Sequence, residues 1–563
     1  MSKTGWLLTA ILILGLALRL IYCWNLPLSG DESISVLQAA GKALDYPKSI
    51  PLSPTPVQQL QTLLQYSPDR GVSDVLQSME KTGMHPPFYY LLLHFVLKYV
   101  GNEVLLLRIL SVVFSVLSIG MIFLIGKKLA CRPGALWAAA LLAVSAYGVH
   151  FALMIRPYPM AMFLSLFSFW LILIYLESTC KKEALFAYAG FVLTALIGLY
   201  SIYPFGFVFL FLLAFLVLYK PNQMKNWLAA GVAGCLAVLL YLPWLPSFRE
   251  QLKAVRSGDY YFYGTSSILR WLEFLFSCNF SEFLPGTYAL YKFLILALVS
   301  GIGIAGGLHL MKNRIGRTFL LAFGAYAAAY YLADRFLQMK TLNSSHFQFF
   351  TVPAVFLILS AGLTRCSPKL LQPAAALLLF VLGFNLFRSF AIPRTHDGPH
   401  CTQKFTQAVQ AYSQGSSGLL LFNNSHPRLL LATISPLQTP VDAVVAPRAS
   451  YLPTLQRLEQ LSSYNVLFFP VHDSPDVSWN PDEQSLNRLQ DYLEERGYSL
   501  REKIDDPFSS KTYMLIFKRS SPIPPPKDPA AETALTEEDP NAPADTAAPS
   551  SNTPDHTHSF GEN

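Results

Sequence analysis

The sequence predicts a polytopic α-helical membrane protein of about 11 spans, with a soluble α/β domain at its C-terminus and a disordered tail. Three observations carry this expectation. The chain is 52% hydrophobic and only 14% charged, whereas soluble proteins keep about a quarter of their residues charged. Apolar runs of membrane-spanning length recur from residue 5 to about residue 390. Lys and Arg gather in the short loops between alternate runs: Lys127, Lys128 and Arg132; Lys181 and Lys182; Lys220 and Lys225; Lys312, Arg314 and Arg317; Arg365 and Lys369. The net charge of +7 is therefore a topology signal, with these loops inside, and not a nucleic-acid surface.

The first span is expected at 5–24, an uncleaved signal anchor with Arg19 near its outer end. A large outer loop with juxtamembrane helices follows at 25–103, punctuated by Pro47, Pro51, Pro54 and Pro56, with amphipathic pieces at 57–64 and 74–79. Residues 88–100 are apolar but short for a crossing, and suit an interfacial or re-entrant helix. Ten further spans are expected at 104–126, 134–152, 158–176, 184–200, 203–219, 226–244, 288–311, 317–337, 347–364 and 369–390. This count places every basic cluster on one side. The membrane domain is thus 1–393.

Residues 394–519 change to a soluble α/β pattern on the outer side. Strands are expected at 418–423, 441–445, 464–470 and 512–518, and helices at 403–413, 451–461 and 481–496, the last stopped by Gly497. Residues 520–563 are rich in Pro, Ala, Thr and acids, lack apolar content, and are expected to be disordered. The 7 Cys have neither metal nor disulfide spacing.

Chemistry is expected at the outer rim. Asp31 and Glu32 follow the first span, while residues 104–176 hold no acid at all. Carboxylates at a membrane helix mouth are costly unless they face water or serve a function. One reading is a general base for a reaction on a lipid-borne substrate; the other is a solvated loop start. His85 precedes two prolines that open a helix, and either contacts a phosphate or sugar or stands by. Arg156, followed by Pro157 and Tyr158, sits outside against the charge rule. It either binds a lipid phosphate or snorkels to head groups. Arg19 poses the same choice. Tyr200, Tyr203 and the run 260–263 offer aromatic faces to sugars or to the interface, and His346 and Gln348 offer polar contacts. No Walker loop, dinucleotide fingerprint, HExxH or GxSxG element appears.

These features, in this order, resemble the bacterial branch of the polytopic membrane glycosyltransferases of the protein O-mannosyltransferase and aminoarabinose transferase type, which have the C-type glycosyltransferase fold. The matching text is Gly30-Asp-Glu-Ser-Ile-Ser35, His85-Pro-Pro-Phe-Tyr-Tyr-Leu-Leu-Leu-His94, Arg108-Ile-Leu-Ser111, Arg156-Pro-Tyr158, and Pro353 with the apolar run to Leu363. The resemblance implies inverting transfer of a sugar from a polyprenyl-phosphate donor to a lipid, glycan or protein acceptor. It implies a multi-pass protein of the bacterial inner membrane, with the active site and C-terminal domain extracytoplasmic. It matches the family's loop acid to Asp31, with Glu32 beside it, and the family's arginine to Arg156. His85, Tyr158 and Arg19 are expected at the donor phosphate; Tyr200, Tyr203, His346 and Gln348 are expected at substrate. Relatives often carry an acid two residues before the arginine, where this chain has Met154. No obligatory metal is therefore expected, and no nucleic-acid partner. Two other classes stay open: a lipid or sugar transporter or flippase, and a non-catalytic member acting through its outer domain.

Overall fold

The computed structural model describes residues 2–24, 26–46, 54–256, 289–337, 345–365, 368–391, 399–423, 427–446, 451–472, 483–506 and 509–520. The tail expected to be disordered and the aromatic run at 260–263 lie outside the described residues.

The first part is helical: α1 (Lys3–Cys23), α2 (Gly30–Ala39), α3 (Val57–Gln61), α4 (Val72–Thr82), α5 (Phe88–Tyr99), α6 (Val104–Leu129), α7 (Arg132–Val144), α8 (Ala146–Ala152) and α9 (Tyr158–Glu177). Helices Lys181–Leu199, Phe205–Tyr219, Met224–Tyr241, Leu245–Arg256, Ala289–Leu310, Arg314–Leu337, Thr351–Leu363 and Pro368–Ala391 follow. Among the described residues six helices are long and apolar enough to cross a membrane, or seven if α7 and α8 form one span. This is a membrane-type helical fold with at least six candidate spans. The short apolar α5 buries Tyr89, Tyr90, Leu93, His94 and Leu97.

The expected single span at 134–152 is broken. The axes of α7 and α8 differ by 54°. Ser145 caps α8 by accepting a hydrogen bond from the Gly148 amide at 2.9 Å. A Cβ at Gly148 would lie 2.7 Å from Leu142 O, so the break needs glycine there. The helices Ala289–Leu310 and Thr351–Leu363 cross almost backbone to backbone. A Cβ built on Gly306 would stand 1.9 Å from Ile358 O, and one on Gly362 would stand 2.1 Å from Ile302 O.

The C-terminal part holds a six-stranded sheet in the order β1-β3-β2-β4-β6-β5. The strands are β1 (Thr55–Pro56), β2 (Gly418–Asn423), β3 (Asp442–Ala446), β4 (Val466–His472), β5 (Tyr498–Asp506) and β6 (Ser509–Arg519). β2 pairs in parallel with β3 and β4; β6 runs antiparallel to β4 and β5. The edge strand β1 comes from the segment between α2 and α3, so two segments that read as separate along the chain share one sheet. β5 and the helix Pro427–Ile434 add to the expected elements. β5 carries register shifts at Leu500/Glu502 and Asp505/Asp506, which break the two-residue period by which an edge strand is read. One face of the sheet, with Leu420, Phe422, Val445 and Ile516, joins the same apolar core as Val36 and Leu37 of α2. The other face has a separate core around Leu421, Leu467, Phe469 and Phe517.

Gly306→Ala is expected to force the crossing helices apart and destabilise the protein by about 1–3 kcal/mol. Gly307, whose Cβ would meet open space, serves as the control. A thermal melt in detergent should show a lower midpoint for Gly306→Ala and an unchanged one for Gly307→Ala.

Candidate active site

The site is built where α2 meets the turn between α8 and α9. Ser29 is the N-cap of α2: its side chain accepts from the Glu32 amide at 3.3 Å, while the Ser29 amide donates to Glu32 Oε2 at 2.9 Å. This capping box turns the Glu32 side chain back toward the helix start and inward. There Arg108 of α6 grips it with both edges, Nε to Oε1 at 2.8 Å and Nη2 to Oε2 at 2.7 Å. The Ile155 amide donates to Oε1 at 3.1 Å. The same guanidinium holds the chain before α2, through Leu26 O at 2.6 Å and Pro27 O at 2.8 Å. Glu32 is 2% exposed. Burial by itself would push its carboxyl up; the Arg108 guanidinium, with the Ser29 and Ile155 amides, outweighs this and holds it below the usual carboxylate range.

Asp31 lies one residue earlier, about 100° round the helix. Its Oδ2 stands 3.3 Å from Arg156 Nη2, and its side chain keeps 25% of its surface open. Ser35, one turn on, donates to Asp31 O at 3.1 Å and accepts from Arg156 Nη1 at 3.3 Å. Arg156 rests in a tight turn in which its amide donates to Met154 O at 2.8 Å. Burial lowers the pKa of its guanidinium, but the facing Asp31 outweighs this and keeps it well above the ordinary value, so the group is charged. Its Nε is buried and has no acceptor among the described residues. An unsatisfied buried cationic donor is costly, and here it lies beside the one partly open carboxylate of the pair.

Aromatic rings wall this ion pair. The Arg156 guanidinium carbon is 5.7 Å from the Tyr158 ring centre. His85 stacks with Tyr90 at 6.4 Å and meets Tyr158 edge-on at 6.1 Å. His346 lies against Tyr158 at 5.1 Å, and Phe347 meets His85 at 6.5 Å. The structure thus gathers Asp31, Arg156, His85, Tyr158 and His346 in one place. Gln348, close by in sequence, is fully buried.

Other expected site residues do not join this cluster, and two are corrected. Glu32 accepts four hydrogen bonds, two from Arg108 and one from each of two backbone amides, so its lone pairs are engaged and it anchors instead of acting as a base. The Ser29-to-Glu32 spacing was the signal for this role. Arg19 is fully buried. It donates to Ser115 Oγ at 2.8 Å, Gly15 O at 2.8 Å, Ala143 O at 3.1 Å and Gly148 O at 3.1 Å. It clasps the α7–α8 break and neither snorkels nor points at a phosphate. Tyr200 donates to Leu240 O at 2.6 Å. Tyr203 donates to Gln251 Oε1 at 2.6 Å and accepts from Trp244 Nε1 at 3.1 Å. These two hydroxyls brace helices. The reading from sequence missed Arg108, Ser35 and Phe347 as site builders, because their partners are distant along the chain.

Among the described residues no three His, Cys, Asp or Glu side chains gather to hold a metal ion. The carboxylate at the site faces a guanidinium, and Met154 supplies a carbonyl to the turn.

Residues 84–246 match the sequence family described as dolichyl-phosphate-mannose-protein mannosyltransferase. That span includes His85 and Arg156 but not the loop with Asp31. The fold is similar to that of ArnT from Cupriavidus metallidurans. In the apo state the TM-score is 0.53 at 10% identity, covering 92% of this chain and 98% of that chain. Bound to undecaprenyl phosphate, the same protein aligns with a TM-score of 0.51 at 10% identity and the same coverage, 92% and 98%. The apo oligosaccharyltransferase of Archaeoglobus fulgidus aligns at a TM-score of 0.46 and 11% identity, over 83% of this chain and 69% of that chain. No curated protein matches the chain by sequence. The expected resemblance is borne out as a family match over residues 84–246, which holds the His-Pro-Pro element, and as a fold similar to that of ArnT.

Glu32→Gln is expected to leave Arg108 as a buried charge without its counter-ion and to destabilise the protein by about 3–5 kcal/mol. The pH dependence has a defined sign. The folded-state pKa of Glu32 lies below the unfolded value, so its stabilisation is present above the ordinary carboxylate range, about pH 4, and is lost as pH falls through the folded value. Melting curves against pH should show an acid arm in the wild type that shrinks in Glu32→Gln.

Proposed function

We propose that this chain is a membrane glycosyltransferase. It moves a sugar from a polyprenyl-phosphate donor to an acceptor hydroxyl at the outer face of a bacterial inner membrane, with inversion at the anomeric carbon. In this reading the chain crosses eleven times with its basic loops inside, and residues 394–519 lie outside. The observation that carries the proposal is the Asp31–Arg156 pair, 3.3 Å apart, with Arg156 Nε buried and unsatisfied beside it.

The guanidinium has two jobs at once. Its Nη2 stands 3.3 Å from Asp31 Oδ2 and orients that carboxylate; its buried Nε lacks an acceptor that an anion would supply. A donor phosphate seated there sets the sugar against His85, Tyr158 and His346, whose rings pack on saccharide faces. Asp31 takes the proton of the acceptor hydroxyl as its oxygen attacks the anomeric carbon. The bond from that carbon to the phosphate oxygen breaks, and the electron pair leaves with the phosphate. The added charge develops on the donor side, against Arg156, where a fixed cation in a water-poor setting counts most. No step needs a metal. The likeness to ArnT, solved with undecaprenyl phosphate, supports the class of donor. The C-type fold and the absence of acids from residues 104–176 favour this reading over a transporter.

In proteoliposomes supplied with a polyprenyl-phosphate sugar, Asp31→Asn should lower the transfer rate by about 10²–10⁴-fold with the fold intact. Full activity in that variant would end the proposal. Arg156→Ala should lower it by about 10²–10³-fold, and Arg156→Lys should recover only part, because an ammonium lacks the second edge. Chelation with EDTA should leave the wild-type rate unchanged; a loss restored by zinc or magnesium would mean that a metal takes part.

A further inference from the structure

The outer α/β domain is joined to the helix that carries Asp31 by more than its covalent link. α2 has only ten residues, too few to persist without packing. On one side it is held by α4 and α5, where Gln38 Nε2 donates to Thr82 O at 3.2 Å and His94 Nδ1 meets Ala39 O at 2.8 Å. On another side its neighbour is the outer domain's helix Pro427–Ile434. Leu430, Leu431 and Ile434 share one apolar core with Val36 and Leu37. That same helix is gripped by the outer loop. Gln61 Nε2 donates to Ile434 O at 2.7 Å, which also accepts from the Leu437 amide at 3.0 Å, and to Leu437 O at 2.8 Å, so one side chain ties the end of that helix and the turn after it to the loop. Beside it, Thr55 and Pro56 pair with Ala443 and Asp442, and the Val57 amide donates to Val441 O at 2.8 Å. Val57 and Leu60 are buried under this strap.

We infer that the outer α/β domain is a positioning part of the site: its helix Pro427–Ile434 backs the Asp31 helix, and residues 55–61, with Gln61 as the clasp, latch it there. The domain sets the direction of Asp31 and does not work as a detachable acceptor-binding module. The activity arm of the test rests on the transfer reading above; the exchange arm does not.

The experiment uses the full chain in detergent or proteoliposomes. Gln61→Glu replaces the amide donor with a carboxylate facing two carbonyls, and Gln61→Ala simply removes the donor. Both should speed hydrogen exchange of the α2 amides and lower kcat by about tenfold or more, with KM for the polyprenyl-phosphate donor little changed. Thr55 and Ala443 stand directly opposite, within reach of a disulfide. Thr55→Cys with Ala443→Cys, once oxidised, should keep wild-type activity and should restore both exchange protection and kcat to Gln61→Glu. Unchanged α2 exchange in the Gln61 variants would overturn the inference, as would inactivation by the disulfide, which would mean that the domain must undock. If α2 exchange responds as stated while the wild type transfers no sugar, the transfer reading fails and the latch stands.

Discussion

The site depends on one buried carboxylate. Glu32 ties three separate parts of the chain to one point: the start of its own helix through Ser29, the N-terminal end of α6 through Arg108, and the turn before α9 through the Ile155 amide. Each of the two segments that meet there carries a buried anchor with a site residue next to it in sequence. Glu32 anchors and Asp31 faces the site; Ile155 anchors and Arg156 faces the site. Fixing the anchors sets the direction of their neighbours, because one residue on a helix turns the side chain by about 100°. Of two adjacent acids of the same chemistry, Glu32 is buried against Arg108 and Asp31 keeps 25% of its side-chain surface open beside Arg156.

Three buried arginines of the helical part show how a buried cation becomes a candidate for function. Arg108 is satisfied by a carboxylate and two carbonyls. Arg19 has no acid and is satisfied by carbonyls freed where α7 breaks from α8, together with Ser115. Arg156 is matched in charge by Asp31 but left with an unsatisfied donor. Desolvation makes each of these guanidiniums costly, and the structure balances two of the three fully. The residual imbalance at Arg156 is what an incoming anion would relieve.

Much of this was legible along the chain. Helices at the expected spans other than 134–152, which breaks in two, the strands at 418–423 and 441–445, and the Gly497 stop follow from hydropathy period and turn chemistry, and Gly497 does adopt a positive φ of 81°. Asp31 and Arg156 stood out because each breaks a rule of membrane composition. Arg19 broke the same rule and was misread, since its acceptors lie near residues 115, 143 and 148 and none is marked as special in sequence. β1 was illegible because two residues, one of them proline, make a strand only when β3 is beside them.

The sequence by itself determined where helices form, which loops are basic, and that acids and an arginine stand at the helix mouths, because these follow from local periodicity and the cost of charge in an apolar medium. Only the tertiary structure decided which acid is buried, which cation it holds, and that the helix Pro427–Ile434 beside the sheet packs on the helix that carries both acids. Those choices are hydrogen bonds between residues 76 to 376 positions apart. Their partners are selected by geometry that no local pattern encodes.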